Sequence, residues 1–337
     1  MLALLAPSLA LTLSCGGRNL RPQSLPPFLE PYNDRSLELT EEALGDAAVR
    51  CRRGVAYGAA PHQTLDVWAP AESENSPLPI VFGIHGGGWE FGYPEWAGFP
   101  ARQICAKTAP ALYVTPAYTL GGGGERQSWP AARDDLLLAL RWVIDHAAQE
   151  GGDPTRLILT GHSAGGHYAA TLGLDPPLLR EAGIDPASVK ALFLVSCPVG
   201  LRAEDFAPKR WLWRLYFGRP LIKRLYNKVI SRNLATIVGT PPDPALAAEA
   251  SPLLSMRAAV PAELPPLVHV TYGGGKDFPF CKPQARRLQV EAARLGEGGP
   301  RVEVLELPEA SHFDTHFELA DGASEWHAAL RRVLADE

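Results

Sequence analysis

The sequence has no apolar run long enough to cross a bilayer as a helix, which takes about 20 residues. The longest such run, Met1 to Ser14, ends at Cys15, so we do not expect an integral membrane protein. An excess of positive charge is also missing, because 32 Lys and Arg stand against 37 Asp and Glu, a formal net charge of -5. Binding of nucleic acid through its phosphates is therefore not expected.

Cysteine is scarce, and its spacing matches no metal site. Besides Cys15 there are Cys51, Cys105, Cys197 and Cys281, an even number that export would allow to pair. Scattered cysteines in a chain of 337 residues are more often buried or free, and their connectivity cannot be read from the sequence, so we assign no disulfide pairing. The composition, 46% hydrophobic and 20% charged, is that of a globular protein and excludes disorder and fibre.

The first residues predict a processed segment. Met1 to Ser14 carries no charge, and Cys15 with the two glycines after it resembles a bacterial lipoprotein processing site. This favours an exported protein tethered to a membrane through acylated Cys15, and the alternative is a cytoplasmic chain with an apolar first helix. We predict a signal segment over 1–15, a tether over 16–45, and one α/β domain over 46–337 with a cap insertion at about 201–250.

From about residue 55, short apolar runs alternate with stretches of helical period. This pattern predicts an α/β fold with a mostly parallel central sheet and helices on both of its faces. The predicted strands are Thr64 to Trp68, Ile80 to Ile84, Leu112 to Thr115, Leu157 to Thr160, Ala191 to Ser196, Leu267 to Tyr272 and Val302 to Leu307. The predicted helices are Ala97 to Lys107, Ala131 to Gln149, Ala164 to Leu172, Pro283 to Leu295 and Ala323 to Ala335.

One basic and aromatic stretch, Arg202 to Arg232, interrupts the alternation. It holds nine Lys or Arg against two acids, together with six aromatic residues. Such a stretch can form a lid over an apolar pocket, pack its rings on the body of the protein, or contact a membrane surface. We favour the lid.

The strongest chemical motif is Gly161-His162-Ser163-Ala164-Gly165-Gly166, between a predicted strand and a predicted helix. A nucleophilic serine at the end of a strand stands on a sharp, strained turn, and glycines two residues before and after it relieve the crowding. The helix that starts there offers free backbone N–H groups to an oxyanion. Ser163 is therefore the predicted nucleophile.

A second motif, His85-Gly86-Gly87-Gly88-Trp89, follows the strand predicted at Ile80 to Ile84. Successive glycines allow the backbone to aim its N–H groups at a substrate oxygen. A tetrahedral intermediate needs about two such donors at roughly 3 Å. We expect the N–H groups of this loop and of Ala164 to form an oxyanion hole.

A serine nucleophile needs a base, and the base needs a carboxylate that fixes its tautomer. Asp277 and His312 each lie five residues past a predicted strand, and the order Ser163, Asp277, His312 is the order found in α/β-hydrolases. His316 is the rival base. His312 is preferred because it is closer to the strand end.

These residues resemble the α/β-hydrolase superfamily, and within it the esterase branch with HGGG and GHSAGG signatures, similar to hormone-sensitive-lipase-like carboxylesterases. The likeness covers about residues 50 to 337. It implies an α/β-hydrolase fold with a small helical cap, and it assigns these site residues: Ser163 as nucleophile, Asp277 and His312 completing the triad, and Gly87, Gly88 and Ala164 as oxyanion donors.

Other segments are similar to kynurenine formamidase-like and prenylcysteine methylesterase-like enzymes. They are His85 to Trp96, Pro130 to Asp135, Gly151 to Pro154 and Ser251 to Leu253. The chain departs from the lipase-like branch at Tyr118-Thr119, where Tyr-Arg is usual.

The predicted function is hydrolysis of a small carboxylic ester through an acyl-enzyme, with no metal or organic cofactor. His85, Trp89 and His162 are the predicted pocket residues. The alternatives are an arylformamidase and a non-catalytic binding protein on the same fold.

Overall fold

The computed structural model describes residues 25–72, 76–106, 110–122, 128–206, 234–239 and 241–335. Its centre is an eight-stranded sheet in the order β1-β2-β4-β3-β5-β6-β7-β8. Only β2 runs antiparallel to its neighbours β1 and β4, and the remaining pairs are parallel. The strands are β1 Val49–Ala56, β2 Thr64–Pro70, β3 Leu78–Ile84, β4 Leu112–Pro116, β5 Gly152–His162, β6 Val189–Val195, β7 Leu267–Gly273 and β8 Arg301–Leu307.

The seven predicted strands are all present, as β2 to β8. They are recognisable because a strand covered on both faces needs apolar residues at nearly every position. In β3, for example, Ile80 and Phe82 face one layer of the core while Val81 faces the other. The predicted α/β class is therefore confirmed.

Strand β1, Val49–Ala56, was not predicted. It lies at the edge of the sheet, where its residues alternate between half-buried and exposed. Arginines in such a strand discourage pairing with another chain, and they hide the apolar pattern that marks inner strands. Arg52 pairs with Glu150, and Arg53 pairs with Asp66 at 3.2 Å between Nε and Oδ2.

In the part of the chain that the structure describes, five longer helices pack on the sheet: α1 Glu30–Leu44, α2 Ala131–Glu150, α3 Ala164–Gly173, α4 Cys281–Leu295 and α5 Glu325–Ala335. Helices α2, α3 and α4 contribute to the larger core on one face, and α1 and α5 contribute to the core on the other. Shorter helical segments are Pro94–Ala97, Ala101–Ala106, Pro176–Glu181, Pro186–Ser188, Ala203–Phe206, 234–238, Pro244–Glu249, Pro252–Ala258, Pro261–Glu263, Asp314–Phe317 and Glu318–Ala320.

Helix α2 confirms the prediction made from its apolar stripe. Leu136 and Leu140 are fully buried, and Gly151 ends the helix in the left-handed region with φ 84°. The helix predicted from Ala97 begins later, at Ala101, because Pro100 disfavours helical dihedrals in the residue before it.

The predicted tether over 16–45 is wrong for its second half. Residues Glu30–Leu44 form α1, and this helix is docked on the domain rather than extended. Tyr32 is 4% exposed, and Asn33 accepts a hydrogen bond from Trp96 Nε1 at 3.0 Å. Polar residues alternate with these contacts along α1, so composition alone suggested a linker.

Two predictions concern residues outside the described part of the chain. The signal segment over 1–15 and most of the basic stretch from Arg202 to Arg232 belong there. Of the cap predicted at 201–250, the described residues form the short helices Ala203–Phe206, 234–238 and Pro244–Glu249. Among the described helices, none is long and apolar enough to span a bilayer.

Two leucines of α2 test the packing of the larger core. Leu140 is completely buried, whereas Leu138 on the same helix is 43% exposed. Leu140→Ala should lower the free energy of unfolding by about 2–5 kcal/mol, because it removes buried methyl groups and leaves a cavity. Leu138→Ala should change it by less than about 1 kcal/mol. Urea denaturation measures both, and equal losses would contradict this packing.

Candidate active site

Ser163 stands on the sharp turn between β5 and α3. Its backbone has φ 55° and ψ −120°, outside the regions that non-glycine residues favour. The turn is held at both ends, because Ser163 N–H donates to Val195 O at 2.8 Å and His167 N–H donates to Ser163 O at 3.1 Å. The predicted strained turn between strand and helix is thus present.

Glycine at 165 is required by the closeness of the neighbouring strand. A Cβ built on Gly165 would lie 2.0 Å from the carbonyl oxygen of Ile84 and 2.5 Å from that of His85. Both contacts are with backbone, which cannot move aside easily. The turn at Ser163 can therefore sit directly against the end of β3 only if this position has no side chain.

His312 lies between Ser163 and Asp277. Its Nε2 is 3.0 Å from Ser163 Oγ, and its Nδ1 is 2.8 Å from Asp277 Oδ1. A carboxylate oxygen only accepts, so Nδ1 carries the proton and Nε2 offers its lone pair to the hydroxyl. The structure brings together the three residues that the sequence singled out.

Asp277 is held by several donors besides the histidine. Ser196 Oγ donates to Oδ2 at 2.7 Å, and the backbone N–H of Gly273 donates to the same oxygen at 2.9 Å. Burial alone would raise the pKa of Asp277, but the hydrogen bonds from His312, Ser196 and Gly273 hold that pKa below its usual value. The carboxylate is therefore ionised beside the imidazole.

Sequence reasoning missed Ser196 and Phe278. Ser196 follows β6 with φ 45°, at the same edge of the sheet as Ser163, and this position past a strand end was the available signal. Phe278 follows Asp277, is 36% exposed, and places its ring centroid 4.3 Å from that of His312. It provides an apolar surface beside the imidazole.

The rival base His316 lies elsewhere. It is buried, its Nδ1 is hydrogen-bonded to Tyr32 Oη at 2.7 Å, and its ring stacks on His162. Burial and the neighbouring His312 lower the pKa of His316 to about 3. Of the two histidines, it is His312 that contacts the hydroxyl of Ser163.

The glycine loop after β3 lies against the turn of the serine. A Cβ on Gly86 would be 3.3 Å from Ser163 Cβ. Gly87 and Gly88 have φ 123° and 62°, which suit glycine. Ala164 begins α3, and the first N–H groups of a helix have no partner within it. The three predicted oxyanion donors thus belong to two segments that meet at Ser163.

The three predicted pocket residues are nearly enclosed, with His85 1%, Trp89 4% and His162 2% exposed. His85 stacks on Tyr118, and Trp89 Nε1 donates to His167 Nδ1 at 3.2 Å. His162 Nε2 lies 2.8 Å from the carbonyl oxygen of His312. These contacts are with protein, and the assignment of the three to a substrate pocket stays a prediction.

Donor atoms of Asp277, Cys281 and His312 lie within 4.8 Å of one another, as they would around a metal ion. A cysteine binds metal as the thiolate. Burial and the nearby Asp277 raise the pKa of Cys281 well above its usual value, so the thiol keeps its proton. This donor set suits proton transfer better than metal binding.

Comparison with known proteins points to esterases. Residues 65–180 match the family model described as BD-FAE. Carboxylesterase NlhH of Mycobacterium tuberculosis is 34% identical over 139 residues, which are 41% of this chain and 41% of NlhH. Esterase LipC of the same organism is 28% identical over 279 residues, 81% of this chain and 61% of LipC. The chain therefore spans less than two thirds of the length of these relatives.

Solved structures show a shared fold. A bacterial heroin esterase has a TM-score of 0.67 at 23% identity, covering 90% of this chain and 91% of its own. A hyperthermophilic esterase of the archaeon Pyrobaculum calidifontis has a TM-score of 0.64 at 23% identity, covering 91% of each chain.

The close approach of the β3 backbone to Gly165 predicts that a side chain at this position lowers the stability of the protein. Gly165→Ala should destabilise the protein by about 1–3 kcal/mol or more through overpacking, although alanine is the better helix former. Gly275→Ala is the matched control, because a Cβ there meets nothing within 4 Å. Thermal unfolding of both variants is the measurement. A Gly165→Ala protein as stable as the Gly275→Ala protein would contradict the described turn.

Proposed function

We propose that this chain belongs to the esterase branch of the α/β-hydrolase superfamily and hydrolyses small carboxylic esters with Ser163, His312 and Asp277 as its catalytic residues. The observation that carries the proposal is the pair of hydrogen bonds, 3.0 Å and 2.8 Å long, that joins the three side chains. The esterase names of the curated relatives support the same chemistry.

Acylation begins at the hydroxyl of Ser163. His312 Nε2 takes the hydroxyl proton while Oγ attacks the carbonyl carbon of the ester, so that a tetrahedral oxyanion forms. When the intermediate collapses, the bond to the alcohol oxygen breaks. His312 returns its proton to the leaving alkoxide, and the acyl group stays on Ser163.

Deacylation repeats these steps with water. His312 takes a proton from a water molecule, whose oxygen attacks the acyl carbon. The bond to Ser163 Oγ then breaks, the serine recovers its proton from His312, and the carboxylic acid is released. The imidazole of His312 thus accepts and returns each proton that is transferred in the two half-reactions.

The oxyanion is held by backbone N–H groups of Gly87, Gly88 and Ala164. The support for this assignment is that the loop of the two glycines lies against the turn of Ser163, where α3 also begins. Donors that are fixed before the reaction need no reorganisation, and each contributes about 10²- to 10³-fold to the rate.

Asp277 fixes the tautomer of His312 and stabilises the imidazolium that forms during attack. Its depressed pKa keeps it charged for this purpose. Phe278 supplies apolar surface beside the imidazole, where the acyl or alcohol part of a small ester can pack. An ester with a short acyl chain is the substrate that we propose.

Removal of the nucleophile tests the proposal. Ser163→Ala should lower kcat/KM for p-nitrophenyl acetate by about 10⁴-fold or more, because no other group can form the acyl-enzyme. Circular dichroism should show that the variant is folded. Substantial residual hydrolysis would contradict the role of Ser163, and faster turnover of N-formylkynurenine than of esters by the unmodified protein would favour an arylformamidase instead.

The hydroxyl of Ser196 offers a finer test. Its hydrogen bond to Asp277 is 2.7 Å long and reaches a charged group, so its loss costs about 1.5–3 kcal/mol. Ser196→Ala should therefore lower kcat/KM by about 10- to 100-fold. Ser188→Ala, at the opposite end of β6, is the matched control and should leave activity within about twofold. Equal activity of the two variants would show that the hydroxyl of Ser196 does not contribute to catalysis.

A further inference from the structure

We propose that His162 is a positioning residue, which fixes the main chain of His312 relative to Ser163 through a hydrogen bond from its side chain. The inference rests on the proposed function and adds a residue to it. His162 Nε2 lies 2.8 Å from the carbonyl oxygen of His312. A carbonyl only accepts, so Nε2 carries the proton and His162 is the donor.

The hydrogen bond can position the base relative to the nucleophile because His162 is the neighbour of Ser163 in the sequence. His162 directly precedes Ser163, so the residue that leads into the turn of the nucleophile also holds the main chain of the base. Among the described residues, the other potential donor to the carbonyl of His312 is the hydroxyl of Thr315, at 2.8 Å. That hydroxyl also lies 2.8 Å from Ser196 Oγ and can donate to only one of the two at a time.

The ring of His162 is fixed by its neighbours on two sides. Its ring centroid is 4.5 Å from that of His316, with 7° between the two planes. On another side it lies against the glycine loop, because a Cβ on Gly86 would be 3.1 Å from His162 Nδ1 and 2.8 Å from its carbonyl oxygen. The imidazole of His162 thus lies against the loop of the oxyanion donors and is hydrogen-bonded to the loop of the base, while its main chain leads into the turn of the nucleophile.

The stacked rings of His162 and His316 are held in place by helix α1. His316 Nδ1 is hydrogen-bonded to Tyr32 Oη in α1, and the ring of Phe99 packs on His316 with 4.8 Å between centroids. Tyr32 also packs against Phe313, the residue next to His312, with 4.7 Å between centroids. Helix α1 therefore packs against the loop that carries His312, through the contacts of Tyr32 with Phe313 and His316.

The charge state of the stack suits the reaction. Burial, with His316 and His312 nearby, lowers the pKa of His162 well below its usual value, and the pKa of His316 is lowered to about 3. Both rings are neutral when His312 becomes a cation during attack. The centroids of His162 and His312 are 4.7 Å apart, where a second positive charge would oppose that step.

Two substitutions of His162 separate the hydrogen bond from the packing. His162→Leu removes the donor, and His162→Gln keeps an N–H at a similar distance from the backbone. With p-nitrophenyl acetate as substrate, we expect His162→Leu to lower kcat by about 10- to 100-fold with KM unchanged. The reason is that a displaced His312 slows the chemical step without changing substrate binding. His162→Gln should recover kcat to within about threefold of the unmodified protein.

Two outcomes would overturn the proposal. Equal kcat in the leucine and glutamine variants would show that the hydrogen bond has no effect. A rise in KM with kcat unchanged would make His162 a pocket residue, the role predicted from the sequence. Activity of the unmodified protein is measured in parallel, so that an absence of esterase activity, which rejects the proposed function, is distinguished from a failure of this inference.

A second pair of variants tests the anchor. Tyr32→Phe removes the hydroxyl that is hydrogen-bonded to His316, and Tyr93→Phe removes a hydroxyl that donates to Asn33, the neighbour of Tyr32 in α1. We expect kcat to fall about threefold or more in Tyr32→Phe and to stay unchanged in Tyr93→Phe. Equal loss in both would mean that docking of α1 alone matters, and would contradict support through the stack.

Discussion

The structure depends on the backbone at Ser163, which is held at a positive φ between a strand and a helix. Such a conformation costs about 1–3 kcal/mol and persists only where the surroundings enforce it. Here the carbonyl oxygen of Val195 in β6 accepts a hydrogen bond from the N–H of Ser163, and α3 begins at the next residue. Because Gly165 has no side chain, the end of β3 can lie directly against this turn. The strain exposes one hydroxyl at the edge where the parallel strands end.

The parallel sheet then brings the other groups to that edge. Segments that follow β3, β6, β7 and β8 converge there, although they are distant along the chain. Asp277 and Ser196 come from loops after β7 and β6, and their hydrogen bond of 2.7 Å ties the two loops together. The imidazole of His312 is consequently held between Asp277 and Ser163, and hydrogen bonds to its carbonyl oxygen hold its main chain.

Much of this site could be predicted from sequence, because its signals are local. A glycine motif at a strand end and a histidine just past a strand are visible without coordinates, and so are buried strands. Ser196, Phe278 and Tyr32 were not visible in this way. Their contacts join residues 81, 34 and 284 positions apart, and apart from the position of Ser196 just past a strand end, nothing in the surrounding sequence marks them. Edge strand β1 and helix α1 were missed because their polar residues mask the buried positions.

Labelling with a fluorophosphonate tests the central claim most directly. The reagent phosphonylates a serine, with loss of fluoride, only where a base activates the hydroxyl and an oxyanion site holds the phosphoryl oxygen. Peptide mass spectrometry of the folded protein should show one adduct per chain, on Ser163, and none after denaturation before labelling. An unlabelled folded protein, or an adduct on another serine, would contradict the account.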